Sequence, residues 1–128
     1  MQDYMFWDVR ASAILTNSYV PGTVLNYTNA NPALRNQLNI LVNFTKGLIT
    51  SAEIKVEYSS DGVNFFQDTF EAISAGTSTL SLGEYTIAAT GNYIISIPIK
   101  AAYIRISAKG TGTVTSSLME IDVILAVV

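Results

Sequence analysis

The chain contains no cysteine and no histidine. Without cysteine there is no disulfide and no thiolate nucleophile, and without histidine the commonest general base and transition-metal ligand are both missing. Hydrolase and zinc chemistry are therefore poorly served, and no cofactor is expected. Charge is scarce as well. Charged residues make up 13% of the chain, where about 25% is usual, and Ser, Thr and Asn outnumber them. With hydrophobic residues at 49%, either other subunits cover part of this surface, or the chain is a monomer with a neutral, Ser/Thr-rich β surface.

Basic clustering is also lacking. The formal net charge is −3, and Lys46, Lys55, Lys100, Arg105 and Lys109 are dispersed, so no footprint for nucleic acid is expected. The opening stretch, MQDYMFWDVRASAILT, carries Asp3 and Asp8 without a basic region or a long apolar run, so a signal peptide is not expected. The longest apolar run, Val123 to Val128, falls far short of the ~20 residues of a membrane helix. The N-x-T matches at Asn26 and Asn43 are of the kind an Asn- and Thr-rich sequence produces by chance.

What is present is alternation. Leu38, Ile40, Val42 and Phe44 share one strand face, opposite Asn39, Leu41, Asn43 and Thr45. Ile54, Val56 and Tyr58 oppose Glu53, Lys55 and Glu57, and Ile104, Ile106 and Ala108 oppose Tyr103, Arg105, Ser107 and Lys109. Such patterns predict antiparallel strands with one wet face. The tail Ile121 to Val128 is apolar on both sides, so it is either central between two layers or covered by a partner, and Pro98 predicts a strand end or an edge. Turn signals fall at Val20-Pro21-Gly22 (type II), Gly91-Asn92 and Gly110-Thr111-Gly112, the last joining two strands as a hairpin. Asn31-Pro32 suggests one short helical turn over residues 31–37, and Ser74 to Gly83 reads as a polar loop with room for a short strand. The expectation is an all-β single domain over residues 1–128, an antiparallel β-sandwich of about eight strands, jelly-roll or immunoglobulin-like.

Few constellations suggest chemistry. Glu53 and Glu57 stand roughly 13 Å apart along a strand, too far for a carboxylate pair. Glu120 and Asp122, about 6.6 Å apart by the same rise, touch the range of an inverting glycosidase pair but read better as a solvated acidic stripe. Enzymatic activity is not expected. Tyr4, Phe6 and Trp7 suggest an arm over residues 1–11 that docks on a neighbouring subunit, or, for Trp7, a place in the core. With Ile124 and Val128 they are the interface candidates. The break Ser59-Ser60-Asp61-Gly62 reads as a type I turn closed by a glycine bulge, with Asp61 and Gly62 as turn formers. On that reading Gly62→Val destabilises and Asp61→Asn changes little.

The successions NQLNILVNFTKGLITSAEIKVEYSSDGVNFFQ and GNYIISIPIKAAYIRISAKGTGTVTSSLMEIDVILAVV resemble small β-sandwich virion structural proteins of tailed bacteriophages. The shared passages are Phe44-Thr45-Lys46-Gly47, the S-x-D-G turn at Ser59 to Gly62, and Tyr103 to Gly112. The resemblance covers residues 36–128 and implies a head decoration (cement) or accessory protein. Such a protein binds the major capsid protein or other virion proteins, commonly as a homo-oligomer and often as a trimer, in virions assembled in the host cytoplasm. It also implies no nucleic-acid or membrane partner. A glycan-binding jelly-roll module, with Tyr103 and Arg105 on its wet face, and a tail or head-to-tail connector component remain the alternatives.

Overall fold

The computed structural model describes residues 4–26 and 37–126, the side chains of residues 4–6, 125 and 126 excepted. Among these residues the fold is all-β and antiparallel. Six strands are long: β1 (Tyr4–Ala13), β4 (Gln37–Thr45), β5 (Ile49–Ser59), β10 (Gly91–Pro98), β11 (Tyr103–Gly112) and β12 (Leu118–Ala126). Six are short: β2 (Val20–Pro21), β3 (Leu25–Asn26), β6 (Phe66–Gln67), β7 (Thr69–Ser74), β8 (Thr77–Leu82) and β9 (Tyr85–Ile87). The expected helical turn lies outside the described residues apart from Gln37, which opens β4.

One sheet has the order β1-β12-β4-β10, and a second has β2-β11-β5-β6 with β3 on β11 and β9 on β5. The alternating apolar faces of both sheets meet in one core. Leu38, Ile40, Val42 and Phe44 of β4 and Met119, Ile121 and Val123 of β12 pack there with Ile54, Val56, Ile104 and Ile106 of β5 and β11. Phe44 is fully buried, and emptying a site of that size removes roughly 3–5 kcal/mol. Tyr58 ties the layers together, its hydroxyl donating to the Pro98 carbonyl at 2.8 Å. Two facing antiparallel sheets around a shared core make a β-sandwich.

The second sheet has broken margins. On one side β2 and β3 share the edge of β11, pairing Val20 with Ala108 and Leu25 with Ile104. On the other, β6 and β9 share β5, which pairs Glu57 with Gln67 and Ile54 with Tyr85. Asp68 continues this second lane through its N–H to the Val56 carbonyl, and the Gly83 N–H returns to the Asp68 carbonyl at 2.8 Å. Thus β7 and β8 are an excursion from the middle of an edge strand, closed at the base by Asp68 and Gly83.

Several local expectations are corrected. Val20-Pro21 is an edge strand, and Gly22 does not take the positive φ of a type II turn. Glycine is needed there because a Cβ would lie 2.6 Å from Val9 Cγ1. Gly91 and Asn92 open β10. Gly110 to Gly112 prolongs β11 against β5, and the chain then crosses to the other sheet before β12, so these strands form no hairpin. The polar loop expected at Ser74 to Gly83 is largely strand. The N-terminal stretch read as an arm is, from Tyr4 to Ala13, an edge strand on β12 with two breaks in its register.

Candidate interaction surfaces

Four places carry the exposed or polar side chains from which a function could be built. The Asp61 loop is the first. Six residues, Ser60 to Phe65, separate β5 from β6, wider than the tight turn expected. Asp61 holds the loop together. Its Oδ1 accepts from the Asn64 N–H at 2.9 Å, the Val63 N–H at 2.8 Å and Ser59 Oγ at 2.9 Å, and Oδ2 accepts from Asn64 Nδ2 at 3.0 Å. These bonds, the Asn64 backbone first, hold its carboxyl far below the usual carboxylate range. The expectation that Asp61→Asn is silent is therefore revised, because an amide presents one oxygen where the loop uses two. Gly62, at φ +78°, lies against the Tyr103 ring, which a Cβ would approach to 3.2 Å. Every Asp61 contact serves the loop.

The outer face of the second sheet is the next place. The sequence predicts a wet face, but Glu53 and Glu57 are buried. Glu57 is paired with Arg105 Nη2 at 3.1 Å, and Arg105 also stacks over Phe65 at 4.1 Å. Glu53 accepts from Ser51 and Thr111, each at 2.6 Å. Tyr19 lies between Lys55 and Lys109, whose ammonium groups are 4.6 and 4.9 Å from its ring centre, and its hydroxyl donates to Glu84. Loop aromatics thus roof this face. Tyr103 and Arg105, the residues proposed for sugar contact, are already engaged by Gly62 and by Glu57 with Phe65.

On the outer face of the first sheet, a shallow cleft of about 410 Å³ is lined by Leu41, Asn43, Asn92, Tyr93, Ile94 and Asp122 among others. Asp122 pairs across the β1–β12 ladder with Asp8. Burial, a hydrogen bond its protonated carboxyl donates to Asp8, and the charges of Glu120 and Asp8 raise its pKa. The acidic partner of Asp122 that sequence spacing missed is therefore Asp8, brought in by a strand from the far end of the chain. Of the interface candidates, Phe6 occupies the register position opposite Ile124, and Tyr4 the one opposite Ala126. Ile124 is half-buried, and Val128 lies outside the described residues. Trp7 pairs with the buried Val123 and packs, partly buried, against the core.

The fourth place is the β7–β8 hairpin, of which sequence reasoning expected no more than a short strand within Ser74 to Gly83. Its register puts Leu82, Leu80 and Ile73 on one face with Thr69, Glu71 and Ser78, and Phe70 on the other face with Ala72, Thr79 and Ser81. Phe70 turns toward the body, edge-on to Tyr85 with ring centres 5.9 Å apart. The Leu80 face is left to solvent, with Ile73 72%, Leu80 66% and Leu82 67% exposed. At the base Asp68 accepts from Lys100 Nζ at 2.6 Å and from the Thr69 N–H at 3.0 Å. The alternation Leu80-Ser81-Leu82 was the one available signal, too short to separate from a loop.

Among the described residues no group of three or more His, Cys, Asp or Glu side chains could hold a metal ion, and no helix is long and apolar enough to cross a membrane. No known protein family matches the chain, and no curated protein matches it either.

Proposed function

We propose that this chain is a non-enzymatic structural protein of a bacteriophage particle, a capsid decoration (cement) or accessory protein that binds virion subunits and forms homo-oligomers, trimers among them. The observation that carries the reading is the β7–β8 arm. A two-stranded ribbon is marginal on its own in water, yet this one bears three large apolar side chains on an uncovered face. Fully burying a Leu or Ile is worth about 1.5–3 kcal/mol, so covering the exposed two-thirds of these three yields roughly 3–6 kcal/mol before ordering costs. An arm carried by one subunit and seated on a different surface of the next makes a heterologous contact, which closes into rings such as trimers. The phage assignment itself rests on the resemblance at Phe44 to Gly47, Ser59 to Gly62 and Tyr103 to Gly112. A connector component differs only in its partner.

The test adds the purified chain to phage particles made without its gene and counts bound copies by quantitative mass spectrometry. Wild-type chain should bind, and a variant carrying Ile73→Asp and Leu80→Asp should fold normally but bind at least tenfold more weakly. Absence of the chain from purified wild-type particles would sink the virion reading, and unchanged binding by the variant would sink the role of the arm.

The glycan-binding reading keeps one observation of its own, the cleft in which Asn43, Asn92, Asp122 and Tyr93 stand beside Leu41 and Ile94. Amide and carboxylate groups beside apolar side chains suit a sugar. Affinity on a glycan array that Asn92→Ala abolishes would favour it over the decoration role.

A further inference from the structure

The two edges of the first sheet are built differently. Along β1 the register with β12 breaks between Asp8 and Arg10 and again between Arg10 and Ala13. Arg10 Nε donates to the Met119 carbonyl at 3.1 Å, and Nη2 donates to the Ile14 carbonyl at 3.0 Å. Bulges and charges of this kind blunt a sheet edge against further strands. The opposite edge, β10, has none of these devices. Its sequence, GNYIISIP, carries no charge, and it pairs with β4 in unbroken register from Gly91 opposite Phe44 to Pro98 opposite Gln37. Among the described residues no other backbone hydrogen bond reaches it.

The strand is also self-complementary. About Ile94 its pattern is nearly palindromic: Asn92 and Ser96 lie on the outer face, and Tyr93 and Ile95 lie on the core side. Ile94 is 63% exposed, while Tyr93 and Ile95 pack on the core but remain only half-buried. We infer that β10 pairs antiparallel with β10 of a second copy of this chain, about a two-fold axis at Ile94, joining two four-stranded sheets into one.

That register sets Asn92 opposite Ser96, Tyr93 opposite Ile95, Gly91 opposite Ile97, and Ile94 opposite its own counterpart. Polar groups meet polar groups outside, and apolar groups meet apolar groups over the core. Like charges face each other at a two-fold axis whenever a central residue is charged, and this strand has none to oppose. Pro98, which lacks an N–H to donate, falls just outside the run from Gly91 to Ile97. A charged or unrelated strand would meet neither the palindrome nor this boundary, which is why the occupant is a second copy. The contact is separate from the arm, so an assembly that also closes rings of three would hold six chains.

Sedimentation equilibrium and cysteine crosslinking of the whole protein test the inference. Wild-type chain should have the mass of two chains, or of six. Directly opposed Cβ atoms lie about 4.5–5.5 Å apart, close to disulfide range, and the chain has no other cysteine. Ile94→Cys should therefore oxidise to a covalent dimer at least tenfold faster than Val63→Cys, which places the thiol on an exposed loop. Ile94→Lys, at an exposed position, should keep its melting temperature at high dilution and lower the association constant at least tenfold. A wild-type mass of one or three chains overturns the inference, as does Ile94→Cys crosslinking no faster than Val63→Cys.

Discussion

Ala75 is the one non-glycine residue with positive φ among those described, at +51°, and Gly76 follows at +80°. Together they form the two-residue turn between Ser74 and Thr77, the type I′ geometry whose twist matches a hairpin. Gly76 takes this conformation freely. Ala75 does not, because its Cβ crowds the neighbouring carbonyl at a cost of about 1 kcal/mol or somewhat more. Asparagine adopts the left-handed region far more readily without the chain entropy that glycine would lose. Ala75→Asn should therefore stabilise the arm by about 1 kcal/mol, which is roughly a fivefold change in its opening equilibrium.

Because the arm is an excursion with one face in solvent, it should open locally without unfolding of the sandwich. Hydrogen exchange by mass spectrometry or NMR reads that equilibrium directly. Amides of residues 69–82 should exchange about fivefold more slowly in Ala75→Asn. They should exchange faster in Ala75→Val, since a β-branched side chain fits positive φ worse still. If the arm docks on a partner, the pre-ordered variant should also bind up to about fivefold more tightly. Equal or faster arm exchange in Ala75→Asn, or a shift in the same direction for both variants, would refute this account of the turn.

Gly62→Val forces a β-branched residue to φ +78° against the Tyr103 ring; a loss of about 1–2 kcal/mol is expected in a denaturant titration. Asp61, whose carboxyl is held below its ordinary pKa, contributes stability that is present above the usual carboxylate range and lost as pH falls through it; Asp61→Asn should lower the neutral-pH melting temperature and flatten that acid dependence. Asp122 has the opposite sign, its folded pKa being raised, so stability falls as pH rises from the ordinary carboxylate pKa through that raised value. Asp122→Asn should stabilise by about 0.5 kcal/mol at neutral pH, with the gain fading as pH falls and the wild-type carboxyl protonates. Arg105→Met leaves the buried Glu57 without the guanidinium whose Nε and Nη2 both meet its Oε1 and should lose about 2 kcal/mol.

The core was legible because burial on one side only writes itself into the sequence with period two. The faces Leu38 to Phe44, Ile54 to Tyr58 and Ile104 to Ala108 meet in the structure as their alternation predicts. Features that depend on distant segments were not legible. Glu53 and Glu57 look like solvent positions from β5 alone, and they are buried because neighbours from β11 and loop residues such as Phe65 cover or pair with them. Glycine was ambiguous, since a turn and a close approach demand the same residue; Gly22 is the second kind, kept small by Val9. The arm showed as no more than a short strand because neither of its strands has a buried face, so it offers no contrast between wet and dry sides. Trp7 could be weighed either way on its own, and only its pairing with Val123 sets it, partly buried, against the core.

The shortage of charge, which first suggested a covered surface, runs through much of the chain and includes the two segments where apolar side chains are left exposed. Arg105, Lys55, Lys109 and Lys100 are drawn to aromatic rings, and Arg105 and Lys100 also to Glu57 and Asp68. This leaves Glu71 as the only charged residue in the arm and none in β10. Of the described large apolar side chains more than 60% exposed, all but Leu48 lie between Val63 and Leu82 or in β10. A neutral, Ser/Thr-rich monomer would scatter such residues singly, as ordinary surfaces do. Here Ile73, Leu80 and Leu82 fall on the ribbon that cannot stabilise itself, and Ile94 falls on the edge that lacks bulge and charge. Two independent structural deficits thus fall on the segments where the sequence withholds charge. That coincidence is the physical argument behind the proposed assembly.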